Sequence, residues 1–519
     1  MESIMLQNLL FYRQRISKSR EAIYDYDNGI RYTYGQLYRR AGRLARFLVD
    51  TCHLQKGDCV GFYSASHVAF FDAFFSSFQT GIIVSSYNYK LHQSELLKMV
   101  QSERPRVLFY GADLGENLTY FRENTEIEHY IALTGPLADT GDWDYERVIA
   151  EGQDCSPVDT PLEENDIQMY LHTGGTTGTP KTAMISYRTV FYNCVCDILT
   201  NALSMTDCAY VFLPMFHTSA WNIITLPLLM CGGRIVLTSH FNAGTALDII
   251  ARERPTIGMA VPSMYKLMAE HENFLSTDFS CFRWLSSGGA TAQKNIMEAY
   301  WKRGVPLANG YGMTEVGPHN LTMPLVDMSM ELIRKKWQSV GVPMYFNHIR
   351  IVDDHLNDVP VGTCGELLFR GPLVFSGYLN NEAESDAMIH DGWVRTGDMA
   401  WQDPDGYYYI AGRKKQMFIS GGENIYTAEI EAVIGAHHSV LDVCVIGVDD
   451  ACWGEVGKAI MVVEPDLYRQ SDLQEFLKEH LSTIKIPKHL VTVDSLPLNA
   501  AGKRDMHKIK KLYGERLPR

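Results

Sequence analysis

His172-Thr173-Gly174-Gly175-Thr176-Thr177-Gly178-Thr179-Pro180-Lys181 packs glycines, hydroxyls and a closing lysine into one short run. Glycine lets backbone N–H groups close on an anion, threonine hydroxyls add donors, and lysine adds a full positive charge. The run therefore reads as a loop built to hold phosphate. A Walker A loop needs glycine directly before its lysine, and Pro180 occupies that place. The same residue argues against a kinase of that type, whose product would be ADP. Taken alone, the run fits a flexible turn as well as a phosphate site, so the decision passes to its surroundings.

The chain has 519 residues, 46% of them hydrophobic and 21% charged, an ordinary globular composition too long for one core. At least two domains are expected. A net charge of −14 argues against a nucleic-acid partner, because duplex phosphates need a basic face. An anionic substrate must then be met by local cations, for which Lys181, Arg413, Lys414, Lys415, Lys485, Lys488 and Lys503 are candidates. The eleven cysteines include no CxxC pair and read as reduced, mostly buried small hydrophobes. Met1-Glu2-Ser3-Ile4 shows no basic segment followed by an apolar one, which predicts a cytoplasmic protein. Two apolar regions, 68–87 and 221–237, are broken by Asp72, Gln79 and Gly81 and by Pro227, Gly232 and Gly233. Each predicts a core helix followed by a strand, with no transmembrane segment.

Short β-branched or aromatic runs recur between helical patterns at 59–63, 81–86, 106–110, 129–133, 210–213, 234–238, 256–261 and 283–286. This alternation predicts an α/β fold with largely parallel sheets in a large layered N-terminal domain. After Arg413 the texture changes to strands near 443–448 and 458–463, a helix over 471–481 and a strand near 490–493. The expected division is a domain over 1–412 and a small α+β domain over 413–519.

Behind the opening loop stand, in order, Leu213-Pro214-Met215-Phe216-His217, Gly310-Tyr311-Gly312-Met313-Thr314-Glu315, Thr396-Gly397-Asp398, Gly412-Arg413-Lys414-Lys415, Gly421-Gly422-Glu423-Asn424 and residues 497–503. Together they resemble the core motifs of the adenylate-forming superfamily, which includes acyl-CoA synthetases, aryl-CoA ligases, luciferases and peptide-synthetase adenylation domains. The resemblance runs from Thr33-Tyr34 to Lys503. It implies the adenylate-forming enzyme fold with a mobile C-terminal domain, and a two-step reaction. A carboxylate attacks the α-phosphate of ATP to give an acyl adenylate and pyrophosphate, and a thiol then displaces AMP.

The resemblance assigns roles residue by residue. Thr173, Gly174, Gly175, Thr176, Thr177, Gly178 and Lys181 would cradle the β and γ phosphates; Gly174 stands where the family usually has serine and Thr182 where it usually has glycine. Glu315 is the expected Mg²⁺ carboxylate, with Thr177 nearby, a hard-oxygen set suited to that ion. Thr314 would touch the α-phosphate. Gly310, Tyr311, Gly312 and Met313 would meet the nucleotide, Tyr311 stacking on adenine, while the backbone at Gly288, Gly289 and Ala290 would line the base. Asp398 would accept both ribose hydroxyls, charged hydrogen bonds worth roughly 1.5–3 kcal/mol each, and Arg413 would hold ribose or phosphate from the other side. Lys503, preceded by a turn-forming Gly502, would neutralise the charge between carboxylate and α-phosphate. Lys415 falls at the family's hinge position.

Phe216-His217-Thr218-Ser219-Ala220-Trp221 should line the acid pocket, with Gly288 and Gly317. Trp221 resembles the gate tryptophan of bacterial fatty acyl-CoA synthetases; a buried core tryptophan is the alternative. His217 would sit beside the thiol site or be a satisfied core histidine. Gly421, Gly422 and Glu423 resemble the strand beside the pantetheine tunnel, which implies coenzyme A as acceptor, with a carrier protein's phosphopantetheine as the competing one. The reading is an ATP-dependent acid–CoA ligase, fatty acid favoured, with an aryl-CoA ligase, a carrier-loading enzyme and a non-catalytic nucleotide-binding regulator as alternatives. A homodimer is left open.

Overall fold

The computed structural model describes residues 9–133, 141–152, 158–173, 180–290, 292–414, 417–420, 423–450, 453–498 and 504–514. Two large sheets dominate. In one, Leu307–Tyr311, Trp284–Ser287, Ile257–Ala260, Cys208–Val211, Arg234–Leu237 and Glu21–Asp25 run parallel in that order, with short antiparallel strands at both edges. In the other, Trp143–Asp144, His129–Ala132, Val107–Tyr110, Cys59–Tyr63, Ile83–Ser86 and Ile167–Thr173 are parallel, and Lys181–Ser186 turns back antiparallel at the edge. All eight of the expected strand runs are strands. They are buried on both faces, which is why they read as continuous apolar stretches rather than alternating ones.

The two apolar regions fold as expected. Ala69–Thr80 is a buried helix that stops at Gly81, whose φ of +70° suits a residue without a Cβ, and the chain then enters Ile83–Ser86. Helical turns over Ala220–Thr225 and Leu226–Cys231 lead into Arg234–Leu237. No helix among the described residues is long and apolar enough to cross a membrane. The nine described cysteines are free thiols, six of them buried.

Residues 348–413 hold an element the periodicity did not separate out. His348–Val352, Gly365–Arg370, Trp393–Gln402 and Tyr408–Arg413 form an antiparallel sheet with Ile389–His390. Beyond it, Val440–Asp450 and Gly454–Val463 make a long hairpin, His489–Thr492 joins parallel to it, and Gln470–His480 covers the sheet. A separate apolar cluster of Phe418, Ile430, Ile434, Val443, Leu473 and Leu477 fills this α+β unit.

Candidate active site

Strands Trp284–Ser287 and Leu307–Tyr311 are parallel neighbours, so the loops at their C-terminal ends lie side by side at one sheet edge, a usual ligand position in parallel α/β folds. Asn309 ties them together, its Oδ1 accepting from the Ala292 N–H at 3.1 Å. Gly289 and Ala290 are exposed there. At Gly312 a Cβ would fall 2.1 Å from the Pro318 carbonyl oxygen, so only glycine lets the chain fold back this tightly.

Tyr311 ends its strand with the hydroxyl donating to Asp398 Oδ2 at 2.5 Å and the ring stacked on Phe369. Asp398 and Arg413 face each other in register on adjacent antiparallel strands, and Arg413 Nε reaches Asp398 Oδ1 at 2.8 Å. Asp398 is thus bracketed on both oxygens. Burial raises its carboxyl above the ordinary range, against the pull of Arg413 and Tyr311. Burial and the Asp398 charge push the Tyr311 hydroxyl far up, so it remains the donor.

A second group forms around a residue that the sequence reading missed. Tyr378 is buried; its hydroxyl donates to Glu315 Oε1 at 2.7 Å and hydrogen-bonds Thr173. Lys181 Nζ sits 5.1 Å from the centre of the Tyr378 ring and pairs with Glu384 at 2.6 Å. Thr173 and Lys181 are opposite residues of one hairpin, at the two ends of the glycine-rich run. Glu315 lies on a short turn, Thr314–Val316, and is 5% exposed. The signal for Tyr378 was slight, a glycine-tyrosine pair in Gly377-Tyr378-Leu379-Asn380 with no charge to mark it.

Behind the same hairpin lies a buried carboxylate. Glu103 accepts from His172 Nε2 at 2.5 Å, from Ser85 at 2.6 Å and from Thr182 at 2.7 Å. Burial alone would raise its carboxyl; the imidazole and two hydroxyls outweigh burial and lower it. Thr182, the departure from the family's glycine, thus spends its hydroxyl on this network.

Trp221 lies among aromatic rings. It is fully buried, its indole N–H donates to the Met215 carbonyl at 2.6 Å, and Phe70, Phe71 and Phe74 cover it. With its one donor satisfied and its faces packed, Trp221 is part of the core in this conformation. His217 is half-buried, its ring against Phe216. Gly317 has φ +78°, and a Cβ there would touch Leu373 and approach the Asn193 amide oxygen at 3.4 Å. Glu423 opens a strand opposite Ser420. Gly174, Gly175, Thr176, Thr177, Gly178, Lys415, Gly421, Gly422 and Lys503 lie outside the described residues. No cluster of three or more His, Cys, Asp or Glu suited to a metal occurs among the described residues.

A family model described as "AMP-binding enzyme" matches residues 12–379, and one described as "AMP-binding enzyme C-terminal domain" matches 429–503. The chain belongs to the family of AMP-binding, adenylate-forming enzymes. Among curated relatives, a feruloyl-CoA synthase of Amycolatopsis sp. is 32% identical, covering 94% of this chain and 95% of its own. An indoleacetate–CoA ligase of Aromatoleum aromaticum is also 32% identical, over 93% and 94%. Among solved structures, ATP-bound MatB from Rhodopseudomonas palustris superposes with a TM-score of 0.87 at 25% identity, covering 98% of this chain and 99% of that one. The fold and the adenylate-forming identity expected from the motifs are thereby established for this AMP-binding enzyme.

Proposed function

We propose that this AMP-binding enzyme is an ATP-dependent acid–CoA ligase that prefers an aryl acid. The observation that carries the reading is the bracketed Asp398, held between Tyr311 and Arg413, with Glu315, four residues on from Tyr311, bonded to Tyr378 and through it joined to Thr173 and Lys181. Asp398 exchanges these partners for the two ribose hydroxyls, and Tyr311 then covers adenine with the backbone at Gly288, Gly289 and Ala290. Lys181 and residues 173–178 hold the β and γ phosphates, and Thr314 the α-phosphate. Glu315 and Thr177 would hold Mg²⁺, which supplies charge neutralisation between phosphates. A single buried carboxylate beside hydroxyls suits an ion that keeps water and substrate oxygens as its other ligands.

In the first half-reaction the acid's carboxylate oxygen bonds to the α-phosphorus while the bond to the β-phosphate oxygen breaks, releasing pyrophosphate. Lys503 offsets the charge that gathers between the two anions, the kind of fixed electrostatic aid that dominates such steps. In the second, the thiolate of CoA attacks the acyl carbon and AMP leaves. Lys503 and the Gly421-Gly422-Glu423 loop both lie in the segment 413–519, so that segment turns about Lys415 between the half-reactions.

The fatty acid expected from the Phe216–Trp221 segment yields to the aryl alternative. Two observations support this: the full-length relatives above are named for feruloyl and indoleacetate substrates, and Trp221 is packed as core. The test is a screen of aryl, dicarboxylic, fatty and sterol acids that measures AMP, pyrophosphate and acyl-CoA. Acid-dependent AMP and aryl-CoA are expected. ADP as product, or nucleotide binding without acid-dependent pyrophosphate, would overturn the ligase reading; a higher kcat/KM for fatty acids would overturn the acid class alone.

A further inference from the structure

Glu103 is the last residue of the helix Gln93–Glu103, and Arg104 after it turns into the left-handed region at φ +50°. That place is a costly one for a carboxylate. The C-terminal end of a helix carries partial negative charge, and the Glu103 side chain is fully buried. Burial raises its carboxyl, yet His172, Ser85 and Thr182 together bring it below the ordinary Glu range, so the charge is kept. Packing alone would be served by an apolar residue, which leaves the charge to be explained by what it holds.

What it holds is the base of the hairpin formed by Ile167–Thr173 and Lys181–Ser186. His172 and Thr182 are opposite each other in register, and one oxygen of Glu103, Oε1, meets both, His172 Nε2 at 2.5 Å and Thr182 Oγ1 at 2.7 Å. The other oxygen meets Ser85 Oγ at 2.6 Å, on the neighbouring parallel strand. His172 is fixed from its far side by the Ser86 carbonyl, 3.1 Å from Nδ1, and its ring stacks on Tyr87. One carboxylate thus joins both strands of the hairpin to the sheet. The next pair along the register is Thr173 and Lys181. Lys181–Ser186 is the edge strand of its sheet, with one strand neighbour, so a side-chain clamp sets its spacing more than it would inside the sheet.

Resting on the acid–CoA ligase reading, we propose that Glu103 is a positioning residue of the triphosphate site: by joining His172 to Thr182 it fixes the spacing of Thr173 and Lys181, which would hold the β and γ phosphates. It touches no substrate itself. Its effect falls on ligands that carry those two phosphates, ATP and, in the reverse direction, pyrophosphate. AMP and the acyl adenylate lack them. Thr182, standing where the family usually has glycine, supplies one of the two contacts of the clamp on the hairpin.

The test uses the full-length enzyme with Mg²⁺ and two readouts. Calorimetric titration without acid gives the ratio of the AMP and ATP dissociation constants. Half-reaction assays give acid-dependent pyrophosphate release and thioester formation from supplied acyl adenylate. Glu103→Ala should weaken ATP by on the order of tenfold and slow pyrophosphate release by on the order of 10², the scale on which a small misplacement of positioning groups acts, while AMP binding and thioester formation stay within about twofold. Thr182→Val, which keeps the shape and removes only the hydroxyl, should move the same ratios in the same direction by less, and Thr182→Ser should restore them. Each ratio is taken within one enzyme, so a partly folded variant still reports it. Equal losses for ATP and AMP, or for the two half-reactions, would make Glu103 a structural residue and overturn the inference, as would ratios unmoved in both Glu103→Ala and Thr182→Val. If the wild type releases no pyrophosphate with any acid, the ligase reading falls, and the AMP-to-ATP ratio, read without acid, still decides the clamp.

Discussion

Around the end of the strand Leu307–Tyr311, Asp398 is bracketed by Tyr311 and Arg413 and Glu315 is bonded by Tyr378, while Lys181 pairs with Glu384. Asn193 and Asp197 on the helix Tyr187–Thr200, and their partners Asn222 and His319, each keep a buried atom unmatched. The difference follows from what each side has to recognise. On the proposed function ATP is always the same ligand, so its contacts would be kept in position by internal stand-ins that yield when it arrives. The acid is what varies between relatives, and recognition by difference needs groups that only the correct ligand satisfies.

The largest expected effect falls beneath the acid side. Trp221→Ala should lower folding stability by about 3–5 kcal/mol, the usual range for emptying a buried aromatic site. Denaturant unfolding measures it, together with acid selectivity. A stable variant with a broadened chain-length profile would restore the gate and weaken the contrast between a packed acid floor and a paired nucleotide edge.

Next comes Lys503→Ala, which should slow acyl-adenylate formation by on the order of 10²–10³ while sparing thioester formation from supplied acyl adenylate. Separate half-reaction assays check it. An equal loss in both steps would make Lys503 a structural residue and detach it from the nucleotide side.

A smaller effect is expected at the residue that joins Glu315 to the phosphate hairpin. Tyr378→Phe removes one hydrogen bond to a buried carboxylate, worth roughly 1.5–3 kcal/mol. kcat/KM for ATP should fall by about tenfold or somewhat more, with KM for the acid unmoved. Loss confined to the acid term would place Tyr378 on the other side of the comparison.

The motifs could be read without coordinates because adenylate chemistry demands particular residue types at fixed places: glycines where the chain folds back, as at Gly312, and charges such as Asp398 and Glu315. The parallel strands could be read because doubly buried strands are continuous apolar runs. The antiparallel sheet over 348–413 could not, since it mixes a buried strand, Gly365–Arg370, with partly buried ones and so shows no single period. His319 and Asp197 were illegible for a different reason. They are 122 residues apart, and a buried pair has no local pattern until the helix and the turn after Glu315 come together. Tyr378 and Glu103 were missed likewise, each meaningful only through partners distant in sequence.

Glu103 gives the last and finest test of the paired half, because it extends that half behind the glycine-rich run. Its carboxyl lies below the ordinary Glu value of 4.5, since His172, Ser85 and Thr182 together outweigh the burial that would raise it. Above pH 4.5 the group is ionised in both folded and unfolded chains, and its contribution to stability is fully present. As pH falls below 4.5 the unfolded chain takes up the proton first, so that contribution drains away until the lowered folded value is passed. Glu103→Gln, which cannot titrate, should therefore flatten the decline of stability with acid, while Thr182→Gly, which removes one of the three donors and so raises the folded value toward 4.5, should leave the onset in place and make the decline smaller. Urea unfolding of the three proteins between pH 3 and 7 reads the slopes directly. Identical slopes for the wild type and Glu103→Gln would mean that this carboxylate is not held ionised in the fold, and the pairing would then stop at the hairpin instead of running through it.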